Sequence, residues 1–469
     1  MVPTDSYDLV IIGGGPGGYA AALYGASAGL NIAMVEKSKV GGTCLHIGCI
    51  PTKELLETGA MLRKVTAAAD FGVTADSPSI DMSVAQARKQ KVVDQLHGGL
   101  TTLLGRRKVT ILDGLGTLHA DHVVRVSGGE SGDVELRGDH VILASGSVPR
   151  TIPGFDVDGE LVVTSDEFLS IEDIPARAVV IGAGAIGCEF ASILADLGAK
   201  VTMLEALPKI LPGCDDDITK LVTRLFKKQG IEVRAGVTVE GHKPDGNGST
   251  TVMFGDGETV DTDLVVIAVG RRPLSDNLGL DGTAVQVSER GHIEVDELCR
   301  TSEPGVYAVG DVVATPALAH VGFAEGILAI KHLLGEEPVP VQYDRVPWCI
   351  YCHPEVAFAG LSEEAAKAAG YDVVTSKHRY IGNGRALIVG EPDGMVKVIA
   401  EKRDDGTAGR ILGVHMVGPW VTEQLGQAYL TVNWEATVDE VAEFIQPHPT
   451  LSELFGESVL AMTGRSLHG

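Results

Sequence analysis

Long apolar runs and an excess of basic residues are both missing from this sequence. No apolar stretch approaches the ~20 residues that a membrane-spanning helix needs, so we expect no membrane association. Lysine and arginine number 38 against 63 aspartates and glutamates, a formal net charge of −25. Such an acidic chain repels phosphate backbones, so we expect no nucleic-acid partner. The charge either serves solubility alone or attracts a basic protein partner.

Cysteine is scarce, with seven residues in a chain of 469, and the odd number argues against a structural disulfide framework. The one C-x-x-C, Cys349 to Cys352, has no second C-x-x-C to complete a metal site. We interpret it as two reduced thiols on an apolar strand and expect no bound metal. The other two cysteines that lie close together in the sequence are Cys44 and Cys49.

A secretory signal is not expected at the start of the chain. The apolar run Leu9–Ile12 is short, follows no basic region and ends in glycines, which predicts a buried strand. We therefore expect a cytoplasmic protein. At ~150 residues per domain, the length predicts about three domains.

The sequence contains one nucleotide-binding pattern twice. Each copy is a β-branched strand, a G-x-G-x-x-G loop, a helix (19–28 and 188–197), a second strand (31–35 and 200–204) and an acid. The acid follows the first glycine by 23 positions in both copies. The residues are Gly13, Gly15, Gly18 and Glu36 in the first copy, and Gly182, Gly184, Gly187 and Glu205 in the second.

The chemistry of dinucleotide binding explains this spacing. The first glycine permits a tight turn, the second lets the backbone approach a pyrophosphate, and the third lets helix and strand pack closely. The pyrophosphate lies at the positive end of the helix, and the acid accepts hydrogen bonds from ribose hydroxyls. Glu205 would repel a 2′-phosphate and only Lys209 follows it closely, which favours NAD over NADP. Two such sites suggest a bound flavin dinucleotide beside a mobile nicotinamide.

A glycine-rich segment with two cysteines, residues 41–53, follows the first acid closely. Four residues separate Cys44 from Cys49, a spacing that permits a small, reducible disulfide. The alternative is two buried thiols. Because the segment lies beside the first nucleotide unit, we favour the redox interpretation.

Motifs along essentially the whole chain resemble the pyridine nucleotide–disulfide oxidoreductases, and among them the branch that acts on lipoamide. The resemblance rests on the two glycine loops and on Gly-Gly-Thr-Cys-Leu-His-Ile-Gly-Cys-Ile-Pro-Thr-Lys (41–53), Ala-Ser-Gly-Ser-Val-Pro (144–149), Val-Gly-Arg-Arg-Pro (269–273), Tyr-Ala-Val-Gly-Asp (307–311), Leu-Ala-His (318–320), Tyr-Cys-His-Pro-Glu-Val-Ala (351–357) and His-Pro-Thr-Leu-Ser-Glu (448–453).

The resemblance implies roles for individual residues. Cys49 lies nearer the flavin, and Cys44 exchanges with the substrate disulfide. Lys53 lies near the flavin and pairs with Glu189, although a solvated helix lysine is the alternative. Asp311 holds the ribityl chain, or is a simple turn aspartate. The remaining positions expected at the cofactors are Thr43, Ser145, Gly146 and Ala319 for FAD, with His320 as a weaker match, and Gly270 for NAD.

Thiol–disulfide exchange requires a thiolate, so a substrate thiol needs a base near it. The candidate base lies near the C-terminus of the chain. His448 suits this task, and Glu453 is placed to hold its second ring nitrogen. Thr-x-x-Glu at 450–453 is equally a helix capping box, and the two interpretations are compatible. Gln446-Pro447 departs from the His-Ala that the lipoamide branch has before this histidine. His46 and Ser145 stand where many members have Asn and Thr.

The expected fold class is α/β, with two Rossmann-like dinucleotide-binding domains and a C-terminal α+β dimerisation domain. The expected boundaries are 1–149 with 273–345 for the FAD domain, 150–272 for the NAD domain and 346–469 for the dimerisation domain, with turn-rich junctions at 149–153 and 335–340.

The resemblance further implies a homodimer whose dyad comes from the partner subunit, and NAD-linked oxidation of dihydrolipoamide. The dihydrolipoyl groups would be those of acyltransferase cores of 2-oxo acid dehydrogenase complexes or of the glycine cleavage H protein. One alternative is a reductase of another low-molecular-weight disulfide. Another is a non-catalytic NADH-sensing or scaffold flavoprotein, which would lose the cysteines or the dyad.

Overall fold

The computed structural model of the chain describes residues 5–129 and 132–468. The chain forms two compact units, each built from several separate segments. The first unit comprises Met1–Glu54, Asp81–Arg150 and Gly270–Tyr343, and the second comprises Leu55–Ile80, Thr151–Val269 and Asp344–Gly469.

The strands are given in chain order. They are β1 (Asp5–Ile12), β2 (Ile32–Glu36), β3 (Thr110–Asp113), β4 (Leu115–His119), β5 (Val123–Ser127), β6 (Val134–Leu143), β7 (Ser147–Pro149), β8 (Val162–Val163), β9 (Arg177–Ile181), β10 (Lys200–Glu205), β11 (Glu232–Ala235), β12 (Val239–Pro244), β13 (Thr250–Phe254), β14 (Glu258–Thr262), β15 (Leu264–Ile267), β16 (Arg271–Pro273), β17 (Val306–Ala308), β18 (Trp348–Ile350), β19 (Glu355–Gly360), β20 (Val373–Arg379), β21 (Met395–Lys402) and β22 (Ala408–Gly418).

The α-helices are α1 (Pro16–Ser27), α2 (Gly42–Ile47), α3 (Cys49–Thr66), α4 (Met82–Arg106), α5 (Ser165–Phe168), α6 (Ala185–Asp196), α7 (Asp216–Lys228), α8 (Ala319–Leu333), α9 (Glu363–Ala368), α10 (Gly384–Val389), α11 (Val421–Asn433), α12 (Val438–Ala442) and α13 (Glu453–Ala461). Among the described residues, no helix combines the length and the apolar character needed to cross a bilayer.

A mixed sheet organises the first unit, in the order β3-β2-β1-β6-β5-β4, with β17 also paired to β6. The strands β1, β2, β3, β6 and β17 pair in parallel, whereas β4 and β5 join as an antiparallel extension. β1 is buried on both faces from Leu9 to Ile12, as the continuous apolar run predicted. The first glycine loop therefore leaves the carboxyl end of a central parallel strand, where α/β folds bind ligands.

The second unit contains a parallel sheet of the same design, in the order β11-β10-β9-β15-β8. An antiparallel ribbon, β12-β13-β14, belongs to the same unit. A five-stranded antiparallel sheet, β18-β19-β22-β21-β20, carries α9 to α13 in the C-terminal segment. These sheets confirm the expected fold class of two dinucleotide-binding folds with a C-terminal α+β fold.

Several element boundaries differ from the sequence predictions. The two helices after the glycine loops begin at Pro16 and Ala185, three residues before the expected starts. Pro16 suits the first helical position, because the amide that proline lacks has no partner there in any helix. The C-x-x-C segment is only partly a strand, since β18 ends at Ile350. The second unit includes both 151–269 and 344–469, so the boundary expected between the NAD and dimerisation domains stays a prediction.

Candidate functional site

The three glycines of the first loop have different surroundings. A Cβ at Gly13 would overlap the Ala144 carbonyl oxygen, and a Cβ at Gly18 would overlap that of Gly13. A Cβ at Gly15 meets nothing within 4 Å. The first and third glycines therefore serve internal packing, while the second leaves open space at the amino end of α1.

The second loop repeats this arrangement. A Cβ at Gly182 would overlap the Ala268 carbonyl oxygen, and one at Gly187 would overlap that of Gly182. Gly184, like Gly15, has nothing within 4 Å of its Cβ position. Both middle glycines cap their helices without a side-chain hydrogen bond, so the first helical amides point into the open space. That is the cradle a pyrophosphate requires.

The two acids lie where the spacing predicted. Glu36 accepts hydrogen bonds from the amides of Gly14 (2.7 Å) and Ser38 (2.9 Å). Glu205 accepts them from the amides of Ala183 (2.6 Å) and Leu207 (2.8 Å). Each carboxylate is thereby fixed beside its glycine loop, and its remaining lone pairs can accept from ribose hydroxyls. These geometries fit dinucleotides such as FAD and NAD at both loops.

Lys209, the cation that closely follows Glu205 in the sequence, contacts other carboxylates. The Lys209 ammonium lies 2.5 Å from Asp216 and 3.2 Å from Glu364. It is therefore held by acidic partners, which agrees with the preference for NAD over NADP.

Asp311 lies in a polar cluster that the sequence analysis did not assemble. Its carboxylate accepts a hydrogen bond from the Ser147 hydroxyl at 2.6 Å, and Arg271 donates to that same hydroxyl at 2.7 Å. The fully buried Glu325 accepts from the Gly310 amide at 2.7 Å and from the Tyr343 hydroxyl at 2.9 Å. Burial raises the pKa of Glu325, while these hydrogen bonds oppose the shift. The turn that carries Asp311 is thus held from both sides.

The other residues expected at the cofactors occupy loops and helix ends. The Ser145 hydroxyl donates to the Leu274 carbonyl at 2.7 Å, and the Gly146 carbonyl accepts from the Leu274 amide at 2.9 Å. Gly270 has a φ of 100° and accepts from the Arg150 amide at 3.0 Å. Thr43 lies in the first turn of α2. Ala319 is the first residue of α8 and His320 is the second.

Cys44 and Cys49 are two half-buried thiols at consecutive helices. Cys44 lies within α2 and Cys49 is the first residue of α3, with Gly48 between them. A Cβ at Gly48 would lie 2.8 Å from the Thr43 carbonyl oxygen, so the tight connection excludes larger residues. The amino end of α3 favours negative charge at Cys49.

The two thiols interact directly. A hydrogen bond with Cys49, together with burial, raises the pKa of the Cys44 thiol, and the charge of Lys53 opposes this shift. Tyr19 of α1 is also close, since burial and then the charges of the two cysteines raise its pKa to about 12. The two cysteines therefore lie close to the helix that follows the first glycine loop. Their redox role stays a prediction.

The glutamate expected to pair with Lys53 is Glu189 of α6. It is buried and accepts a hydrogen bond from the Tyr351 amide at 2.9 Å. Lys53 belongs to the first compact unit and Glu189 to the second. Their pairing therefore stays a prediction.

His448 and Glu453 form a hydrogen-bonded pair at the start of α13. His448 Nδ1 lies 3.1 Å from Glu453 Oε2. Because a carboxylate only accepts, Nδ1 donates and Nε2 remains as the basic nitrogen. Glu453 Oε2 also accepts from the Thr450 amide at 3.1 Å, and the Thr450 hydroxyl accepts from the Glu453 amide at 3.2 Å. The reciprocal bonds of a capping box and the dyad therefore coexist.

The loop of the dyad is anchored by Asn383, which the sequence analysis missed. Asn383 is buried, donates to the Thr450 carbonyl at 2.9 Å and accepts from the Ala386 amide at 2.9 Å. A cavity of about 460 Å³ lies at the same loop. It is lined by Arg385, Trp420, Glu423, Gln424, Gln427, Pro449, Thr450, Leu451 and Ser452.

The two thiols of the C-x-x-C segment contact different backbone carbonyls. Cys349 Sγ lies 3.8 Å from the Thr422 carbonyl oxygen, whereas Cys352 Sγ lies 3.3 Å from that of Pro354. Across residues 5–129 and 132–468, no three or more His, Cys, Asp or Glu side chains are grouped to hold a metal ion.

Comparison with known proteins assigns the chain to a family. Residues 7–326 match the family model described as pyridine nucleotide-disulphide oxidoreductase, and residues 346–459 match the dimerisation domain of that family. The dimerisation domain supports a homodimer.

Relatives and solved structures agree with this assignment over nearly the whole chain. The chain is 42% identical to a dihydrolipoyl dehydrogenase of Bacillus subtilis (98% of this chain, 99% of the relative) and 38% identical to one of Zymomonas mobilis (99% of each). The crystal structure of LpdA from Mycobacterium tuberculosis matches with a TM-score of 0.90 at 25% identity, covering 97% of this chain and 99% of that one. With both family models matched in order along the sequence, the chain belongs to the pyridine nucleotide-disulphide oxidoreductase family.

Proposed function

We propose that the protein oxidises dihydrolipoamide to lipoamide and reduces NAD, with Cys44 and Cys49 as its redox pair. One observation carries the proposal. The cysteine segment is packed on the first glycine loop, where a Cβ at Gly42 would lie 2.7 Å from the Cα of Gly15. This contact places the segment that contains the dithiol against the loop where a dinucleotide would bind, as electron transfer between them requires. The dihydrolipoyl dehydrogenase relatives support the choice of substrate.

The exchange at the cysteines balances as a two-electron transfer. A substrate thiolate attacks Cys44 Sγ of the Cys44–Cys49 disulfide, the disulfide breaks, and Cys49 leaves as a thiolate at the amino end of α3. The second substrate thiolate attacks the substrate sulfur of the mixed disulfide. This releases the cyclic disulfide and leaves the Cys44 thiolate, which takes up a proton. The substrate loses two electrons and the protein disulfide gains them.

His448 is the base in this proposal. Its Nε2 accepts the proton of a substrate thiol, and Glu453 orients the ring and balances the positive charge that forms. The same imidazolium returns a proton to the Cys44 thiolate. In a homodimer, we infer that the dyad of one subunit serves the cysteines of its partner.

In this proposal each glycine loop binds a different dinucleotide. Gly13, Gly15, Gly18 and Glu36 would hold FAD, with Thr43, Ser145, Gly146, Asp311 and Ala319 around it, and Gly182, Gly184, Gly187, Glu205 and Gly270 would hold NAD. The flavin supplies the two-electron acceptor that links the dithiol to the nicotinamide. We assign Lys53, supported by Glu189, to stabilise negative charge beside the flavin.

The physiological carriers are also part of the proposal. We infer dihydrolipoyl groups on acyltransferase cores or on the glycine cleavage H protein, and a cytoplasmic location. The formal charge of −25 suits a basic docking domain on such a complex.

The decisive experiment measures NADH formation at 340 nm with dihydrolipoamide, for the wild type and for Cys49→Ser. We expect NAD-dependent turnover that the substitution abolishes, because the disulfide can no longer form. Unchanged turnover in Cys49→Ser would contradict the redox pair. Parallel assays with NADPH and other disulfides test the alternative, since weak lipoamide turnover beside strong reduction of another disulfide would select a different substrate.

A further inference from the structure

Two imidazoles from different helices share one backbone carbonyl beside the redox pair. His46 of α2, two residues after Cys44, places Nε2 at 2.9 Å from the Val40 carbonyl oxygen. His97 of α4 places Nδ1 at 3.0 Å from the same atom. The ring centroids are 5.0 Å apart with an edge-on geometry. Since the carbonyl only accepts, both rings donate to it, which fixes which nitrogen of each carries the proton.

Val40 is the residue from which the chain turns towards Cys44. The next residues, Gly41 and Gly42, have φ values of 110° and 58°. The Gly41 amide donates to the Gly14 carbonyl at 2.8 Å. Only three residues, Gly41 to Thr43, separate Val40 from Cys44, and the first of them is hydrogen-bonded to the first glycine loop.

Gly41 and Gly42 lack the Cβ that restricts the backbone of other residues, so this connection is intrinsically adaptable. Backbone hydrogen bonds to the carbonyls of Gly14 and Lys39 hold the two glycine amides. The Val40 carbonyl, which precedes these two glycines, accepts one hydrogen bond from His46 of α2 and another from His97 of α4. We define Val40, His46 and His97 as the carbonyl clamp.

The environment of His46 favours the uncharged imidazole, which acts as a hydrogen-bond donor. Burial lowers its pKa, an effect opposed by the Val40 hydrogen bond. The charged and titratable groups that face it are His97 on α4, which lowers its pKa, then Lys39, which lowers it, and Glu36, which raises it. At neutral pH the imidazole is therefore uncharged, and its contribution is geometric.

We propose that His46 and His97 are positioning residues that fix the Cys44 segment on the first glycine loop and thereby set the equilibrium between the Cys44–Cys49 disulfide and the dithiol. This inference rests on the proposed redox role of the pair. Disulfide formation needs the two sulfurs in a narrow geometry, so a loosened segment lowers their effective concentration and favours the dithiol.

The test separates the donor from the bulk of each side chain. His46→Gln and His97→Asn place an amide nitrogen near the lost Nε2 and Nδ1 respectively, whereas His46→Leu and His97→Leu offer no donor. Leu96→Ala, at an exposed neighbouring position of α4, is the matched control. If His46→Leu does not fold, His46→Asn replaces it, because the asparagine amide is too short to reach the Val40 carbonyl from the position of Nε2.

Each holoenzyme is equilibrated anaerobically in buffers of oxidised and reduced dithiothreitol, and the thiols at Cys44 and Cys49 are quantified by alkylation and peptide mass spectrometry. Reduced dithiothreitol gives two electrons and two protons to the protein disulfide. We expect the donor-free variants to shift the equilibrium about tenfold towards the dithiol. The Gln, Asn and Leu96→Ala variants should stay within about twofold of the wild type.

Hydrogen exchange of the 40–49 backbone amides provides a second measurement, and it should accelerate only in the donor-free variants. Equal behaviour of the Leu variants and their amide counterparts, in either direction, would overturn the clamp. Dihydrolipoamide turnover of the wild type is assayed separately. A wild type without that turnover defeats the proposed function, whereas the dithiothreitol equilibria still decide the role of the clamp.

Discussion

At the scale of single residues, Glu453 makes two hydrogen-bonding contacts that substitution can separate. Its carboxylate accepts from His448 Nδ1 and from the Thr450 amide. Glu453→Gln keeps an acceptor oxygen for the Thr450 amide but removes the negative charge facing the imidazole. The capping contribution to stability should therefore survive while the support of the base is lost.

We accordingly expect Glu453→Gln to lower kcat for dihydrolipoamide oxidation with little change in Tm. The loss should be smaller than that of His448→Gln, which removes the base and with it about 10²–10⁴-fold in rate. Steady-state kinetics and thermal unfolding of both variants provide the measurement. A Glu453→Gln variant with wild-type kcat and a lowered Tm would leave only the capping role.

The same scale shows what the sequence could and could not predict. Glu36 and Glu205 were predictable because each ends the strand that follows the helix after its glycine loop. The partner of Asp311 is Ser147, 164 positions away, and His97 reaches Val40 across 57 positions. No spacing or periodicity links such residues, because tertiary folding alone brings them together. Ser147 and Arg271 lie within the family motifs at 144–149 and 269–273, and this membership was their signal in the sequence.

At the scale of elements, the strand–loop–helix unit assigns different work to neighbouring glycines. Gly184 has φ −74° and ψ −170°, a conformation open to any residue, and empty space at its Cβ position. Gly187 packs against the Gly182 carbonyl, where a Cβ would overlap. A methyl group at 184 therefore intrudes only on a ligand, whereas one at 187 intrudes on the fold.

We therefore expect Gly184→Ala to raise KM for NAD about tenfold or more without lowering Tm, because the methyl group occupies the pyrophosphate path. Gly187→Ala should lower the free energy of unfolding by about 1–3 kcal/mol through overpacking. NAD titrations and urea unfolding of the two variants test this contrast. Equal KM values for Gly184→Ala and the wild type would place the pyrophosphate elsewhere.

At the scale of the whole molecule, a buried ionic cluster ties distant segments of the second unit together. The Lys397 ammonium of β21 is 1% exposed and contacts Asp215 (2.9 Å), Asp217 (2.6 Å) and Glu363 (2.7 Å). Hydrogen bonds from Lys367 and then Lys397 lower the pKa of Glu363 to about 2. Burial acts to raise the pKa of Asp217, but bonds from Lys377 and Lys397 hold it at about 2. The glycine-loop pattern predicted the second nucleotide-binding fold, and the family resemblance implied the C-terminal α+β fold, but neither predicted this ionic cluster.

Removing the shared cation should therefore destabilise the fold in a pH-dependent way. Lys397→Met leaves the buried Asp215 carboxylate without its cation and removes one of two lysine partners from Asp217 and from Glu363, so we expect a loss of about 3–5 kcal/mol in urea unfolding at pH 7. The depressed pKa values mean that the stabilisation is complete above the ordinary carboxylate range near 4 and disappears as pH falls towards 2. The difference in the free energy of unfolding between wild type and variant should accordingly narrow at pH 3.

Lys228→Met, which breaks an exposed pair with Asp393, is the control and should cost less than about 1 kcal/mol. Equal losses in the two variants, or a difference that widens at pH 3, would contradict a stabilising role for the cluster.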